Sequence, residues 1–453
     1  MTRQIQIALC AFATLLAGCS QSTDNSLTRY AASSPNRPAF AADDDRPRAE
    51  PAEILEPSGE LTLQTALALA LLHNPKLKSE ALEIRVADAE RLQAALRPNP
   101  ELEFVAEEIG AGPRSTRPGE TTIAISQLIE LAGKRQKRTR LGELQTRLAA
   151  VDYEARRLDV LTEVHARFVD LLAAQRRARI AEQLEHVAEQ AADAVDTRIE
   201  AGKDAPLERA RAHIRLSNAR TQRAQARQDL LVARQALAAL WAARNPRFET
   251  AVGDLETTTP IEPQHALIER IDNNPDVARW AVAIEQRRAA AQLEKAKAMP
   301  NLTIGGGVQM LDEAGETTGV FLAGIPLPLF DTNQGGRLAA AHRLAQANFD
   351  AHAARIRVET RLTEAHRDAV NALTRAEELR SRVLTNAQSL FESMDEGYRA
   401  GKFNYLDLLD AQDTLSKAQL DYVAALADYH KARAEMERLI GASVEQTSNA
   451  DEK

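Results

Sequence analysis

The strongest constraint on this fold is an internal repeat with a period of about 200 residues in a chain of 453. Short phrases recur at nearly the same offset in three separate places. The pairs are Asn74-Pro75 with Asn274-Pro275, Pro100-Glu101-Leu102 with Pro300-Asn301-Leu302, and Ala201-Gly202-Lys203 with Ala400-Gly401-Lys402. The period is longer than that of solenoid repeats. It indicates a duplication into two similar halves, which we place at 61–250 and 264–441.

Both halves repeat one predicted layout. Each begins with a helical run that a proline stops, continues with a β-hairpin, enters a very long helix without proline, and returns through another helix. At about 1.5 Å per residue the long helices would extend about 95–100 Å. The predicted bounds are 61–97, 101–128, 134–200 and 206–241 in the first half, and 264–298, 301–329, 337–399 and 404–439 in the second.

The hairpin segments alternate apolar or small residues with polar ones, as tilted strands that cross a bilayer do. Leu102, Phe104 and Ala106 occupy one set of alternate positions in the first of these strands. Glu101, Glu103 and Glu107 occupy the other set, where they could face a wet lumen, while Glu108 is out of phase and would lie at its rim.

Composition favours long, closely packed helices and argues against several other classes. Aromatic residues make up only 4% of the chain, which is typical of Ala- and Leu-rich helix packing. The net charge of −8 argues against a nucleic-acid partner. The nine histidines include no i, i+4 pair, so we expect neither a tight metal site nor a cofactor. No nucleophile elbow, P-loop or dinucleotide motif is present, which argues against an enzyme.

The N-terminal residues predict an exported, lipid-anchored protein. Residues 1–18 have the basic start and short apolar run of a signal peptide. Leu16-Ala17-Gly18-Cys19 resembles a bacterial lipobox, which implies lipidation of Cys19, and Ser20 implies sorting to the outer membrane. An ordinary signal peptide with a chance cysteine is the alternative. Residues 19–60 are predicted to be a flexible leader, and 442–453 a polar tail.

Four strands are too few to close a barrel, and an open sheet edge is not tolerated in lipid. Three chains would bring twelve strands, an even number compatible with a closed transmembrane barrel. The fold class we predict is therefore mainly α with a small β part: a duplicated coiled-coil barrel of long helices, continued by a trimeric 12-stranded β-barrel. The alternative is a pair of soluble hairpins that cap a helical bundle.

This layout resembles the TolC-type outer-membrane factors of tripartite efflux pumps over about 61–441. Two strand-to-helix joints, 126–135 and 326–337, are most similar to the CzcC-type branch that serves heavy-metal efflux. The resemblance implies a homotrimer in the outer membrane of a Gram-negative bacterium, with a helical tunnel in the periplasm. It also implies an inner-membrane RND transporter and a periplasmic adaptor as partners.

The two turns between the long helices are predicted to hold the functional residues. A glycine at each reversal can adopt a positive φ without a Cβ penalty. The resemblance adds that these tips contact the adaptor, and that Tyr398, Asp407, Asp410 and Glu208 form the periplasmic entrance. Phe403 stands where some members carry an arginine that locks the gate. The tip residues concerned are Ala201, Gly202, Lys203, Ala400, Gly401 and Lys402.

Three functions remain open from the sequence. The first is a passive export duct for divalent heavy-metal cations. The second keeps the duct but changes its cargo to drugs or, in type I secretion, polypeptides. The third is a lipid-anchored coiled-coil scaffold without a pore, which the matched hairpins disfavour.

Overall fold

The computed structural model describes residues 56–107, 120–202, 205–311 and 316–442. The predicted signal peptide, Cys19, nearly all of the leader, Glu108, Lys203 and the tail beyond Ala442 lie outside these residues. The described chain contains nine α-helices and six strands. The helices are α1 (Leu63–His73), α2 (Pro75–Ala95), α3 (Lys134–Glu200), α4 (Pro206–Ala238), α5 (Gln264–Ile268), α6 (Pro275–Lys297), α7 (Gln334–Glu378), α8 (Leu384–Arg399) and α9 (Tyr405–Leu439). The strands are β1 (Glu60–Thr62), β2 (Glu101–Glu107), β3 (Glu120–Ile129), β4 (Thr250–Val252), β5 (Leu302–Leu311) and β6 (Glu316–Gly324).

The repeated Asn-Pro pair interrupts what we expected to be one helical run in each half. Asn74 caps α2 by accepting hydrogen bonds from the Lys76 and Leu77 amides, and proline occupies the first helical position. This geometry ends α1, because the residue before proline is driven out of the helical region. In the second half Asn274 caps α6 in the same way.

Both capping asparagines also tie the start of their half to its end. The Asn74 amide donates to the Leu240 carbonyl at 2.7 Å, and the Asn274 amide donates to the Leu439 carbonyl at 3.0 Å. The two acceptors are separated by almost the repeat period. The duplication therefore preserves a long-range hydrogen bond as well as a local turn.

Strands β2, β3, β5 and β6 form one antiparallel sheet in that order, so the hairpins of the two halves lie side by side. The second predicted hairpin, 301–329, ends early, because its last strand stops at Gly324. Pro326 and Pro328 follow, and proline cannot donate a hydrogen bond to a strand ladder. A second, unpredicted sheet pairs β1 with β4 in parallel, Leu61 opposite Ala251.

The four-stranded sheet has two chemically different faces. The register places Leu102 opposite Ile125, which is opposite Gly306 and then Phe321. Opposed residues share a face, so this face is apolar, and Leu102, Phe104 and Phe321 are 67–76% exposed on it. The other face carries five carboxylates from the described strands, those of Glu101, Glu103, Glu107, Glu120 and Glu316.

The long helices follow directly after the strands of the four-stranded sheet. Helix α3 runs unbroken for 67 residues, about 100 Å at 1.5 Å per residue. The second long helix, predicted as 337–399, starts at Gln334 and contains an unpredicted π-helical turn at Leu379–Val383 between α7 and α8. Alanine seams such as Ala365, Ala369, Ala372 and Ala376 let the helices approach closely. No helix in the described ranges is both long and apolar enough to cross a membrane.

Candidate functional site at the paired helix turns

The two turns between long helices have matching backbone geometry. Helix α3 ends at Glu200 and the chain reverses through Gly202, with φ +72°. Helix α8 ends at Arg399 and reverses through Gly401, with φ +73°. A Cβ at either glycine would meet no atom within 4 Å. Backbone conformation, rather than lack of space, therefore explains both glycines.

Buried side chains join the two turns into one four-helix tip. They come from the end of α3, the start of α4, the end of α8 and the start of α9. The cluster comprises Ala188, Ala192, Val195, Ala212, Leu216, Ala219, Tyr398, Tyr405 and Leu408. Because both halves contribute, a movement of one turn must disturb the packing of the other.

Two tyrosines lie at the centre of this cluster. Tyr398 and Tyr405 are buried, with ring centroids 5.9 Å apart, and the Arg198 guanidinium lies 5.0 Å from the Tyr398 ring centre. Burial, together with the neighbouring Tyr398 and Glu208, raises the pKa of Tyr405 to about 12. The Tyr405 phenol is therefore neutral near pH 7, and it acts as a packed, polar-tipped aromatic.

Glu208 and Asp407 both occupy the third position of their helices, α4 and α9, but in different environments. Glu208 is half-buried: one carboxylate oxygen accepts from Arg211 at 2.7 Å, and the other is buried without a hydrogen-bond partner among the described residues. Asp407 is exposed and closes a capping box with Asn404, accepting its amide at 3.2 Å. The sequence match between the two residues thus reflects helix position, and their side chains are not equivalent.

Asp410 lies one turn beyond Asp407 on α9 and is also exposed. Its backbone carbonyl accepts from Thr414 at 2.9 Å, and no ion pair engages its carboxylate among the described residues. The two aspartates share a helix face because they are three residues apart. Each turn therefore presents different charge: a half-buried glutamate on α4, and two solvated carboxylates on α9.

Phe403 is a site residue whose contact was not foreseen from the sequence. A Cβ at Gly397 would lie 2.1 Å from the Phe403 ring, so this ring covers the glycine face of α8. The Lys402 and Phe403 amides bond back to the Gly397 carbonyl at 2.8 and 3.4 Å. An apolar contact thus secures the second turn. Ala201, Ala400 and Lys402 are exposed at the tip surface.

Comparison with known proteins identifies the family. A family model described as Outer membrane efflux protein matches residues 66–243 and 267–442, one segment in each half. The chain belongs to the outer membrane efflux protein family. The matched segments coincide with the two copies of the helix, hairpin and long-helix layout.

Two curated relatives of this outer membrane efflux protein are metal-resistance proteins. It is 34% identical, over 85% of this chain and 91% of that protein, to the cobalt-zinc-cadmium resistance protein CzcC of Cupriavidus metallidurans. It is 27% identical, over 64% of this chain and 65% of that protein, to the nickel-cobalt-cadmium resistance protein NccC of Alcaligenes xylosoxydans xylosoxydans. The CzcC and NccC similarities agree with the branch that the strand-to-helix joints indicated.

The solved structure of CusC shares the fold of this outer membrane efflux protein. The TM-score is 0.73 at 16% identity, over 89% of this chain and 99% of that one. No group of three or more His, Asp or Glu side chains in the described part of the chain could hold a metal ion. Asp407 and Asp410 form an exposed, acidic surface beside the second turn.

Proposed function

We propose that this chain is the outer-membrane duct of a tripartite efflux system that passively exports divalent heavy-metal cations. The observation that carries the proposal is the four-stranded sheet, apolar on one face and acidic on the other, joined to helices about 100 Å long. An apolar face suits lipid, and an acidic face suits a water-filled lumen that cations cross. We infer no enzymatic role.

The open sheet is the reason for proposing a homotrimer. Strands β2 and β6 are its two edges, and unpaired edges are costly in lipid. Pairing β2 of one chain with β6 of the next would close twelve strands around the acidic face. The protein would then lie in the outer membrane of a Gram-negative bacterium, with Cys19 as a lipid anchor and the helices forming a periplasmic tunnel.

The paired turns are the proposed docking end for a periplasmic adaptor, which would link the duct to an inner-membrane RND transporter. Leu207 and Leu406, at equivalent places after the two turns, are 61% and 48% exposed. Exposed apolar side chains beside reversing helices suit a helical partner hairpin. The turn residues proposed to contact it are Ala201, Gly202, Lys203, Ala400, Gly401 and Lys402.

Metal cargo is inferred from the CzcC and NccC relationship together with the exposed Asp407 and Asp410. In a trimer these would form two stacked rings of three carboxylates, which attract cations. Tyr398 and Glu208 would hold the turn beside these rings. The gate would differ from that of family members in which an arginine locks it, because Phe403 stands at that position here and packs on Gly397.

Growth of a clean deletion strain tests the cargo. We expect sensitisation to zinc, cobalt and cadmium but not to a panel of drugs and dyes, with restoration by the wild-type gene. Sensitisation to drugs alone would overturn the metal cargo and keep the duct. Planar-bilayer conductance of the purified trimer tests the pore itself, and a water-soluble delipidated monomer without conductance would instead indicate a scaffold.

A further inference from the structure

All four junctions between the large sheet and the helices lie at one end of the sheet. The register aligns Glu101, Ser126, Gly305 and Leu322 at that end. Helices α2 and α6 enter the sheet there, and α3 and α7 leave it. We name the segments 91–97, 130–140, 294–300 and 331–337 together the junction band.

The junction band is strongly basic although the whole chain is acidic. It holds ten lysines and arginines against three carboxylates, in a chain of net charge −8. The cationic residues are Arg91, Arg97, Lys134, Arg135, Lys137, Arg138, Arg140, Lys295, Lys297 and Arg337. The acidic ones are Glu130, Glu294 and Asp331.

Some of these cations form contacts that stabilise the fold. Lys134 is buried and donates to the Met299 carbonyl and the Asn301 side chain, which ties α3 to the start of β5. Arg138 forms a two-pronged pair with Glu130. These contacts give two of the ten cations a structural role that needs no ligand.

Four other cations have no such explanation. Arg97, Arg135, Lys295 and Arg337 are exposed, and no carboxylate pairs with any of them among the residues that the structure describes. One comes from each of the four junctions between a helix and the sheet. Exposed like charges brought together at one level repel each other, so such a band is stabilised by an anionic partner.

The neighbouring surface indicates what that partner is. The apolar sheet face ends at the junction band, and Leu327, Leu329 and Phe330 add strongly exposed apolar side chains at the same end. At the opposite end the strands carry Glu107, Glu120 and Glu316. Apolar surface bordered by cations matches a bilayer leaflet, where acyl chains end at anionic headgroups.

We infer that the junction band binds the anionic phospholipid headgroups of the leaflet that faces the helices. The inference rests on the proposed function, because the apolar sheet face must lie in the bilayer. A lining role inside the duct fits poorly, since four free cations per chain would repel the proposed metal cargo. The band instead sets the depth at which the sheet sits in the membrane.

Native mass spectrometry of the purified trimer tests this lipid binding. Protein reconstituted in nanodiscs with equal amounts of phosphatidylglycerol and phosphatidylcholine is released, and the retained lipids are counted. We expect a several-fold excess of retained phosphatidylglycerol that falls as salt rises. A variant that combines Arg97→Gln, Arg135→Gln, Lys295→Gln and Arg337→Gln should retain both lipids equally.

The control variant removes the same charge far from the sheet, through Arg177→Gln, Arg227→Gln, Arg382→Gln and Lys417→Gln. It should keep the wild-type lipid preference. Equal retention of the two lipids by the wild type, or an unchanged preference in the junction-band variant, would overturn the inference while leaving the duct intact. Failure of the wild type to enter nanodiscs of either lipid would count against the proposed function itself.

Discussion

Single residues decide the shape of the tip. The missing side chain of Gly397 on α8 leaves room for the ring of Phe403, which lies beyond the turn. Tyr398 and Tyr405 pack against each other nearby in the chain, and Phe403 itself remains 42% exposed. The turn is thus held by apolar contact, and its stability should be sensitive to side-chain volume.

Gly397→Ala should destabilise the second turn by about 1–3 kcal/mol, the usual range for overpacking. The added methyl group would overlap the Phe403 ring, which must move out. Limited proteolysis at the turn and the thermal midpoint of the purified protein measure this effect. Adding Phe403→Ala to Gly397→Ala should restore most of the lost stability. A double variant no more stable than Gly397→Ala would contradict the proposed contact.

Two partly buried histidines make the middle of the molecule sensitive to acid. The Nδ1 atom of His165 on α3 is buried and has no hydrogen-bond partner in the described part of the chain, and His430 on α9 donates to the Leu255 carbonyl at 2.9 Å. Burial, with the charges of His430 and Arg433, lowers the pKa of His165 to about 4. Burial also lowers the pKa of His430. Both side chains are therefore neutral in the folded protein near pH 7.

Stability should fall as the pH drops from about 6.5 to about 4, because the unfolded chain then binds protons that the folded chain excludes. His165 alone should contribute a loss of about 3 kcal/mol across that window. Thermal unfolding of the wild type and His165→Gln at pH 7.5 and 5.0 measures this. The variant should lose less stability, whereas exposed His352→Gln should behave as the wild type. Equal pH dependence of all three proteins would contradict the assignment.

At the scale of elements, the hairpins depend on glycines in β5. A Cβ at Gly307 would lie 2.2 Å from the Ile123 carbonyl oxygen of the paired strand, whereas one at Gly306 would meet nothing closer than 3.6 Å. The two residues point to opposite faces of the sheet. The central strand pair can therefore tolerate an added side chain at Gly306, on the apolar face, and not at Gly307, on the acidic face.

Gly307→Ala should disrupt the central strand pair, while Gly306→Ala should be tolerated and serves as the matched control. The expected result is loss of the heat-modifiable oligomer on denaturing gels for Gly307→Ala, with a normal oligomer for Gly306→Ala. Backbone atoms cannot yield as a flexible side chain can, which is the reason for the difference. Normal assembly of both variants would show that the strands separate more readily than this register implies.

At the scale of the whole molecule, charge is distributed along the proposed path of the cargo. The acidic sheet face lies at one end, and the exposed carboxylates of Asp407 and Asp410 lie beside the turns at the other. Under the proposed metal cargo, the carboxylate rings of a trimer would concentrate cations before they cross the pore.

Asp407→Asn with Asp410→Asn should reduce cation selectivity of the reconstituted pore and weaken metal resistance in complemented cells. The capping role of Asp407 is largely kept by asparagine, so folding should change little. Reversal potentials in asymmetric salt measure the selectivity. The control variant, Glu364→Gln with Glu377→Gln, removes two exposed carboxylates from helix α7 and should not alter the selectivity. Unchanged selectivity in the aspartate variant would remove the entrance role.

The amino-acid sequence by itself determined the duplication, the alternation of the hairpins, the long helices and the glycine turns. These features depend on short phrases and periodicities that can be recognised along the chain without knowing its contacts, and the mainly helical fold and the family were confirmed. The lipid anchor at Cys19 and the adaptor contacts at the tips stay predictions. The early end of β6 could have been predicted locally, because Pro326 and Pro328 follow the strand.

Only the tertiary structure decided which distant residues meet. It brought Asn74 to Leu240 and Asn274 to Leu439, left Glu208 half-buried and Asp407 exposed, and set the π-helical turn into the second long helix. Contacts across more than one hundred residues depend on how helices pack and not on local periodicity. For the same reason, the junction band can be recognised only in the tertiary structure, which places its four separate segments at one end of the sheet.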